Sequence, residues 1–157
     1  MGANVLNRTD QGGAVTRIGG TLQIDDGAWL KRTVGDATLY CCYHNVLTAE
    51  VNAGHDIVAA VSGVKLRPVI AYLIARGGNA GGATRVDIAD GDGNVIFGQP
   101  VANLTQDAVT TIASSNAVLT KMAQATAANK SIKVIKNGSD LTTATSVDAI
   151  VVYAQEA

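Results

Sequence analysis

From residue 38 onward, apolar and polar residues alternate with period 2 in one short segment after another, and glycine-rich turns separate the segments. Neighbouring side chains on a strand point to opposite faces, so this rhythm describes half-buried strands and not helices. The clearest cases are 84–89 (TRVDIA), with Val86 and Ile88 directed inward, and 130–136 (KSIKVIK), closed by the turn pair Asn137-Gly138. Longer apolar runs at 65–75 and 145–153 read as central strands. Segments 38–43, 46–51, 56–61, 94–97 and 116–122 complete eight or nine candidates. Turn signals fall at 52–54, 62–63, 76–82 and 90–93. That spacing predicts an all-β fold, an antiparallel sandwich from about residue 38 to residue 153. The one helical candidate is 106–114, weakened by the β-branched run Thr110-Thr111-Ile112.

The first 35 residues behave differently and divide the chain into an N-terminal arm with a hairpin, 1–35, and a sandwich domain, 36–157. Residues 4–11 carry too few apolar side chains to bury anything alone. Residues 21–25 (TLQID) place Leu22 and Ile24 on one face, Asp26-Gly27 is a turn pair, and 28–32 (AWLKR) can return as a second strand. An isolated two-stranded hairpin is marginal in water, so this segment leans on the main domain or on another chain. Trp29, the single tryptophan, lies here. It reads equally as an anchor onto its own domain or as an interface residue, a role in which tryptophan is enriched.

Composition narrows the function classes. Charged residues make up 16% of the chain against a usual quarter, and the net charge is -1, with no basic stripe. That excludes a nucleic-acid-binding surface, which depends on clustered Lys and Arg. A hydrophobic fraction of 47% excludes disorder. The longest apolar stretches, 58–61 and 69–75, are far short of a membrane span, and the N-terminus has no basic and apolar leader, so the chain is expected to be made in the cytoplasm. A surface poor in charge and rich in Ala, Thr, Asn, Ser and Gly suits burial under other subunits. Adjacent Cys41 and Cys42 point to opposite faces of a strand, which predicts one buried and one exposed thiol, both reduced.

Candidate chemistry is sparse. Asp90, Asp92 and Asn94 begin like a calcium loop, but Val95 stands where glycine is needed and no carboxylate follows near the twelfth position, so a hairpin turn is the better reading. His44 and His55 have no metal spacing and no triad partners, and read as polar residues at strand–turn junctions. Residues 76–82 (RGGNAGG) lack phosphate-loop spacing and read as a flexible hairpin loop. The Asn-x-Ser/Thr matches at Asn7, Asn103 and Asn137 carry nothing without a secretory signal. No cofactor, metal or enzymatic activity is expected.

Three stretches resemble a known group: 18–24 (IGGTLQI); 50–54 (EVNAG) with 70–80 (IAYLIARGGNA) and 84–88 (TRVDI); and the end, 137–154. Together they resemble the head decoration, or capsid cement, proteins of tailed bacteriophages. The resemblance implies a jelly-roll-like sandwich on the outer capsid surface of the virion. It also implies a homo-oligomer, most often a trimer, that bridges subunits of the major capsid protein, with no catalysis, nucleic acid or membrane involved. Leu22, Ile24, Trp29 and Leu30 are the expected subunit or capsid contacts. Cys41-Cys42 and Trp29 have no place in the group's pattern. The alternative is a carbohydrate-binding β-sandwich module, although one Trp, one Phe and four Tyr must then serve both core and sugar.

Overall fold

Alternation becomes structure wherever a strand finds a partner in register. The computed structural model describes residues 37–111 and 113–156, together with three earlier strands, β1 (Arg8–Thr9), β2 (Thr16–Arg17) and β3 (Trp29–Val34). The later elements are β4 (Ala37–Leu47), α1 (Thr48–Ala53), β5 (His55–Val58), β6 (Lys65–Arg76), β7 (Arg85–Asp90) and β8 (Val95–Pro100). A single 3-10 turn at Val101–Asn103, β9 (Ile132–Asn137) and β10 (Ser146–Glu156) follow. The protein is an all-β antiparallel sandwich. One four-stranded sheet has the order β3-β4-β10-β6, the other β5-β9-β7-β8, and β1 pairs with β2 separately. Every pairing between the described strands is antiparallel.

The core lies between the sheets, and the alternation decides which residues enter it. On β10, Val147, Ala149 and Val151 are fully buried, and the register sets them opposite Ala75, Leu73 and Ala71 of β6. From the second sheet, Val86, Ile88, Phe97, Ile132 and Val134 face them, all buried, so the predicted inward positions of 84–89 and 130–136 hold. Tyr153 is fully buried, and its ring stacks on Tyr40 of β4 at 5.5 Å between centroids. Small residues on β10 and β6 let the sheets approach while large ones on β7, β8 and β9 fill the space, the interdigitation that dense cores need. Cys42, buried, donates its thiol hydrogen to the Ile57 carbonyl at 2.9 Å and so links β4 to β5 across the sandwich.

The structure corrects several expectations. Residues 46–51 are not one strand: β4 ends at Leu47 and α1 takes over. Val46 and Val51 are both fully buried, yet five positions apart they would point to opposite faces of a strand, so a helical turn buries both. The helix start is held by the Glu50 carboxylate, which accepts the Leu47 N–H at 2.9 Å. Gly54 closes the helix at φ +86°, a conformation that glycine adopts without strain. The strand expected at 56–61 stops at Val58, because its partner β9 begins at Ile132, directly opposite.

Residues 116–122 form no strand. Left-handed Asn116 and Ala123 (φ 56° and 62°) bracket them, and only Val118 makes a bridge, to Gly98. The expected helix at 106–114 is absent from its described residues, which instead bridge to Ala75 and Leu73 of β6. Loop 76–82 is no hairpin loop; it carries the chain from β6 in one sheet to β7 in the other. Strand β3 hydrogen-bonds to β4, with Trp29 opposite Cys42, Leu30 opposite Cys41 and Val34 opposite Ala37. The expected partner, 21–25 with Leu22 and Ile24, lies outside the described residues.

Candidate functional site

The residues that alternate away from the core define two outer surfaces of opposite character. On the sheet β5-β9-β7-β8, the outward rows are Asp56–Lys133–Ala89 and Ile135–Asp87–Gly98, ending at Asn137–Arg85–Pro100. This face is charged where it is open, at Asp56, Lys133 and Arg85, while Ala89, Asp87 and Gly98 at its centre are buried. Asp87 is buried and held by two hydrogen bonds from the Arg85 guanidinium, one of them 2.9 Å. Gly98 is required beneath this pair, since a Cβ there would sit 2.1 Å from the Asp87 carboxylate.

The outer face of β3-β4-β10-β6 is apolar. Its register aligns Tyr43–Ile150–Tyr72 in one row and Cys41–Val152–Ile70 in the next. All six are partly exposed, and Ile70 reaches 38%. A third row, Leu39–Ala154–Arg67, starts the charged border. At that end Arg67 is ion-paired with Glu156, and at the other Arg76 binds buried Asp148 at 2.6 Å and Asp107 at 2.7 Å. Asp148 also accepts hydrogen bonds from Asn45 and from the Tyr43 hydroxyl, at 2.6 and 3.1 Å. Arg67 and Glu156 offset each other, while Arg76 is shared by two carboxylates, so that border keeps an excess of negative charge. Burial raises the Cys41 thiol above its usual pKa. Of the two thiols, Cys42 is buried and Cys41 partly exposed, both free.

The turn at 90–94 is explained by its own bonds. The Asp90 carboxylate accepts the backbone N–H of Asp92 and of Asn94 and both contacts of the Asn94 side-chain amide, at 2.9–3.0 Å. Burial pushes Asp90 up, but the bonds from Asn94 and Asp92 and the charge of Lys121, 3.6 Å away, outweigh it and hold the carboxyl below the usual range. Asp92 turns instead to Lys130. The three residues singled out for metal diverge, and Asn94 presents its donor nitrogen, not its oxygen, to Asp90. Among the described residues, no group of three or more His, Cys, Asp or Glu is placed to hold a metal ion.

The structure brings together two histidines that the sequence kept apart. His44 and His55 lie with ring centroids 6.0 Å apart where the chain crosses between sheets, and His55 Nδ1 is 3.8 Å from Glu50. Their separation of eleven positions gave no signal, because a strand end, a helix and a strand start had to be counted correctly first. The thiol two residues before His44 is committed to the Ile57 carbonyl.

Loop 77–82 is pinned against 140–145. Gly81 and Thr142 exchange backbone hydrogen bonds at 3.0 and 2.8 Å, and Ala80 N–H reaches the Leu104 carbonyl at 2.8 Å. Gly82 has φ +79°, and a Cβ on it would lie 2.4 Å from the Asp140 carbonyl oxygen. Two of the loop amides, those of Ala80 and Gly81, are thus spent within the fold. Of the expected contact residues, Trp29 and Leu30 hold backbone register positions on β3 opposite Cys42 and Cys41, while Leu22 and Ile24 lie outside the described residues.

No family model, no curated protein and no solved structure matches this chain.

Proposed function

We propose that the protein is a virion structural protein that decorates the outer surface of a tailed-bacteriophage head and stabilises it by bridging subunits of the major capsid protein. The observation that carries this reading is the outer face of β3-β4-β10-β6: two adjacent apolar rows, Tyr43–Ile150–Tyr72 and Cys41–Val152–Ile70, on a chain with few charges. Apolar patches of this kind mark interaction surfaces. The resemblance of residues 18–24, 50–54, 70–80, 84–88 and 137–154 to head decoration proteins supplies the identity of the partner.

The jelly-roll reading is supported by the order of the strands. The chain alternates between sheets from β4 through β7, and the last strand, β10, returns to the middle of the first sheet between β4 and β6. Cementing then works by added interface, with no covalent step. Specific interfaces of about 1,200–2,000 Å² are stable by burial alone, and several copies around one junction raise each other's local concentration. The arm, with Leu22, Ile24, Trp29 and Leu30, is the proposed clamp onto a neighbour.

Co-sedimentation with purified heads tests the reading. Expected is saturable binding, together with heads that survive a higher temperature when decorated. A protein that stays in the supernatant at all concentrations overturns it. The carbohydrate reading keeps one support, the half-exposed Tyr43 and Tyr72 flanking Ile150, and it predicts quenching of Trp29 fluorescence by a glycan.

A further inference from the structure

Asparagine is a thermolabile residue, because the backbone nitrogen that follows it can attack its side-chain carbonyl carbon. A fold suppresses the attack by holding the amide or by screening that nitrogen. Most described asparagines are held by hydrogen bonds: Asn45 to Ser146 and Asp148, Asn52 to the Leu141 backbone, Asn79 to the Gln106 N–H, Asn94 to Asp90, Asn103 to Gln99 and Asn129 to the Gly63 N–H. The side chains of Asn116 and Asn137 make no such bond among the described residues, and both are exposed. Asn116 is followed by Ala117, whose Cβ screens the nitrogen, whereas Asn137, alone of the ten asparagines in the chain, is followed by glycine. Asn137 is also the last residue of β9, paired with Arg85 of β7 on one side, while pairing with β5 on the other side ends at Val134. Its carbonyl accepts the Thr84 N–H at 2.9 Å, and the N–H of Gly138 bonds to no carbonyl among the described residues. Gly138 has φ +85°, and a Cβ there would lie 2.7 Å from Thr84 Oγ1, so packing and backbone both demand glycine. The fold thus keeps an unscreened nitrogen beside an unheld amide.

We propose that Asn137-Gly138 is a self-modification site, a place of spontaneous deamidation with water as its one co-reactant, and that its product releases the tie to Thr84. The Gly138 nitrogen bonds to Asn137 Cγ, the Cγ–Nδ2 bond breaks, and the side-chain nitrogen leaves as ammonia, taking the proton that the Gly138 nitrogen gives up. Water then opens the five-membered imide, its hydroxyl joining one of the two carbonyl carbons and its remaining hydrogen returning to the Gly138 nitrogen. Opening at Cγ yields aspartate. Opening at the main-chain carbonyl carbon yields isoaspartate, in which the chain runs through Cγ and the old carbonyl becomes a free carboxylate. Nothing is oxidised or reduced. The isoaspartate adds one carbon to the backbone and withdraws the acceptor that Thr84 uses. Residues 138–141 then lose an anchor close to the point where Thr142 pins Gly81. Either product also adds a negative charge in the residue next to Lys136, which is ion-paired with Asp140. The inference is independent of the decoration reading.

Mass spectrometry of the folded, full-length protein, kept in warm and mildly alkaline buffer, tests the proposal. Expected is a progressive amide-to-acid mass gain that fragmentation places at residue 137, with Asn116 unchanged over the same interval. In the isoaspartate fraction, separated by chromatography, hydrogen exchange at the Thr84 amide should be about tenfold faster or more than in fresh protein, since that amide has lost its acceptor. Asn137→Gln, whose longer side chain cannot close a five-membered ring, should keep its amide and its protection at Thr84. Retention of the Asn137 amide in the folded protein, over an interval in which the same protein reacts in denaturant, overturns the proposal, because the fold then shields the site. Equal mass gain at Asn116 overturns it as well, because the following glycine then decides nothing. Unchanged exchange at Thr84 in the isoaspartate fraction overturns the release of the tie.

Discussion

Gly98 shows how a single position can be dictated by a neighbour across a strand pair. It lies opposite Asp87, and the absence of a side chain leaves room for the carboxylate and the Arg85 guanidinium that grips it. Gly98→Ala is expected to lower stability by about 1–3 kcal/mol, as overpacking does, and chemical denaturation measures it. Asp90 gives a pH prediction. Its hydrogen bonds hold its folded pKa below the ordinary value, so it contributes stability that is present above the unfolded pKa and lost as pH falls through the folded one. Asp107 and Glu156, lowered chiefly by hydrogen bonds from Arg76 and Arg67, act in the same direction. The melting temperature should be flat above about pH 5 and fall below pH 4, the range set by ordinary carboxyl pKa values. Asp90→Asn should flatten that fall while lowering the plateau. A plateau equal to wild type would show that the turn does not depend on the carboxylate. The sequence offered Asp90, Asp92 and Asn94 as a turn with a trace of metal chemistry; which oxygen accepts from which nitrogen was decided by the path of the chain.

At the scale of elements, the segment between β8 and β9 matters most, because it closes the open side of the sandwich. Unpaired edge strands invite aggregation, and here β6 is covered by hydrogen bonds from a stretch with no strand of its own. Thr110 exchanges backbone bonds with Leu73, Ala123 donates to Pro68, and Thr126 donates its N–H to the Leu66 carbonyl while its hydroxyl accepts the Leu66 N–H at 3.0 Å. Thr126→Val keeps the shape and removes that acceptor. Leaving the Leu66 N–H unpaired is expected to cost about 1–3 kcal/mol, measured by thermal or chemical unfolding. Period-2 patterning found β7 and β9, whose apolar residues Val86, Ile88, Ile132 and Val134 take alternate positions, and apolar runs found β6 and β10. It misassigned 106–114 and 116–122 because those residues are ordered by single bridges and left-handed turns, which have no period. It also missed α1, whose one fully buried residue, Val51, leaves no helical stripe to detect.

For the whole molecule, β3 fixes where the arm begins. Since Trp29–Val34 is a paired strand of the sheet, a test of the arm must delete residues 1–28 and spare it. That truncation is expected to keep the sandwich's circular dichroism and to lose heat protection of decorated heads. Unchanged protection would move the head contact to the sandwich itself. Alternation, turn residues and low charge are local properties, and they were enough to determine an all-β antiparallel sandwich and the inward residues Val86 and Ile88 of β7. Strand order, the meeting of His44 with His55, the pinning of loop 77–82 by residues 140–145 and the contrast between the outer faces were not legible. Each depends on which strands become neighbours, and pairing partners far apart in the chain are chosen by burial of the whole core, not by any one segment. An apolar outward residue also looks the same in sequence as an inward one. Only when the sheets had closed over Val147, Ala149 and Val151 did Ile150 and Val152 prove to be facing out.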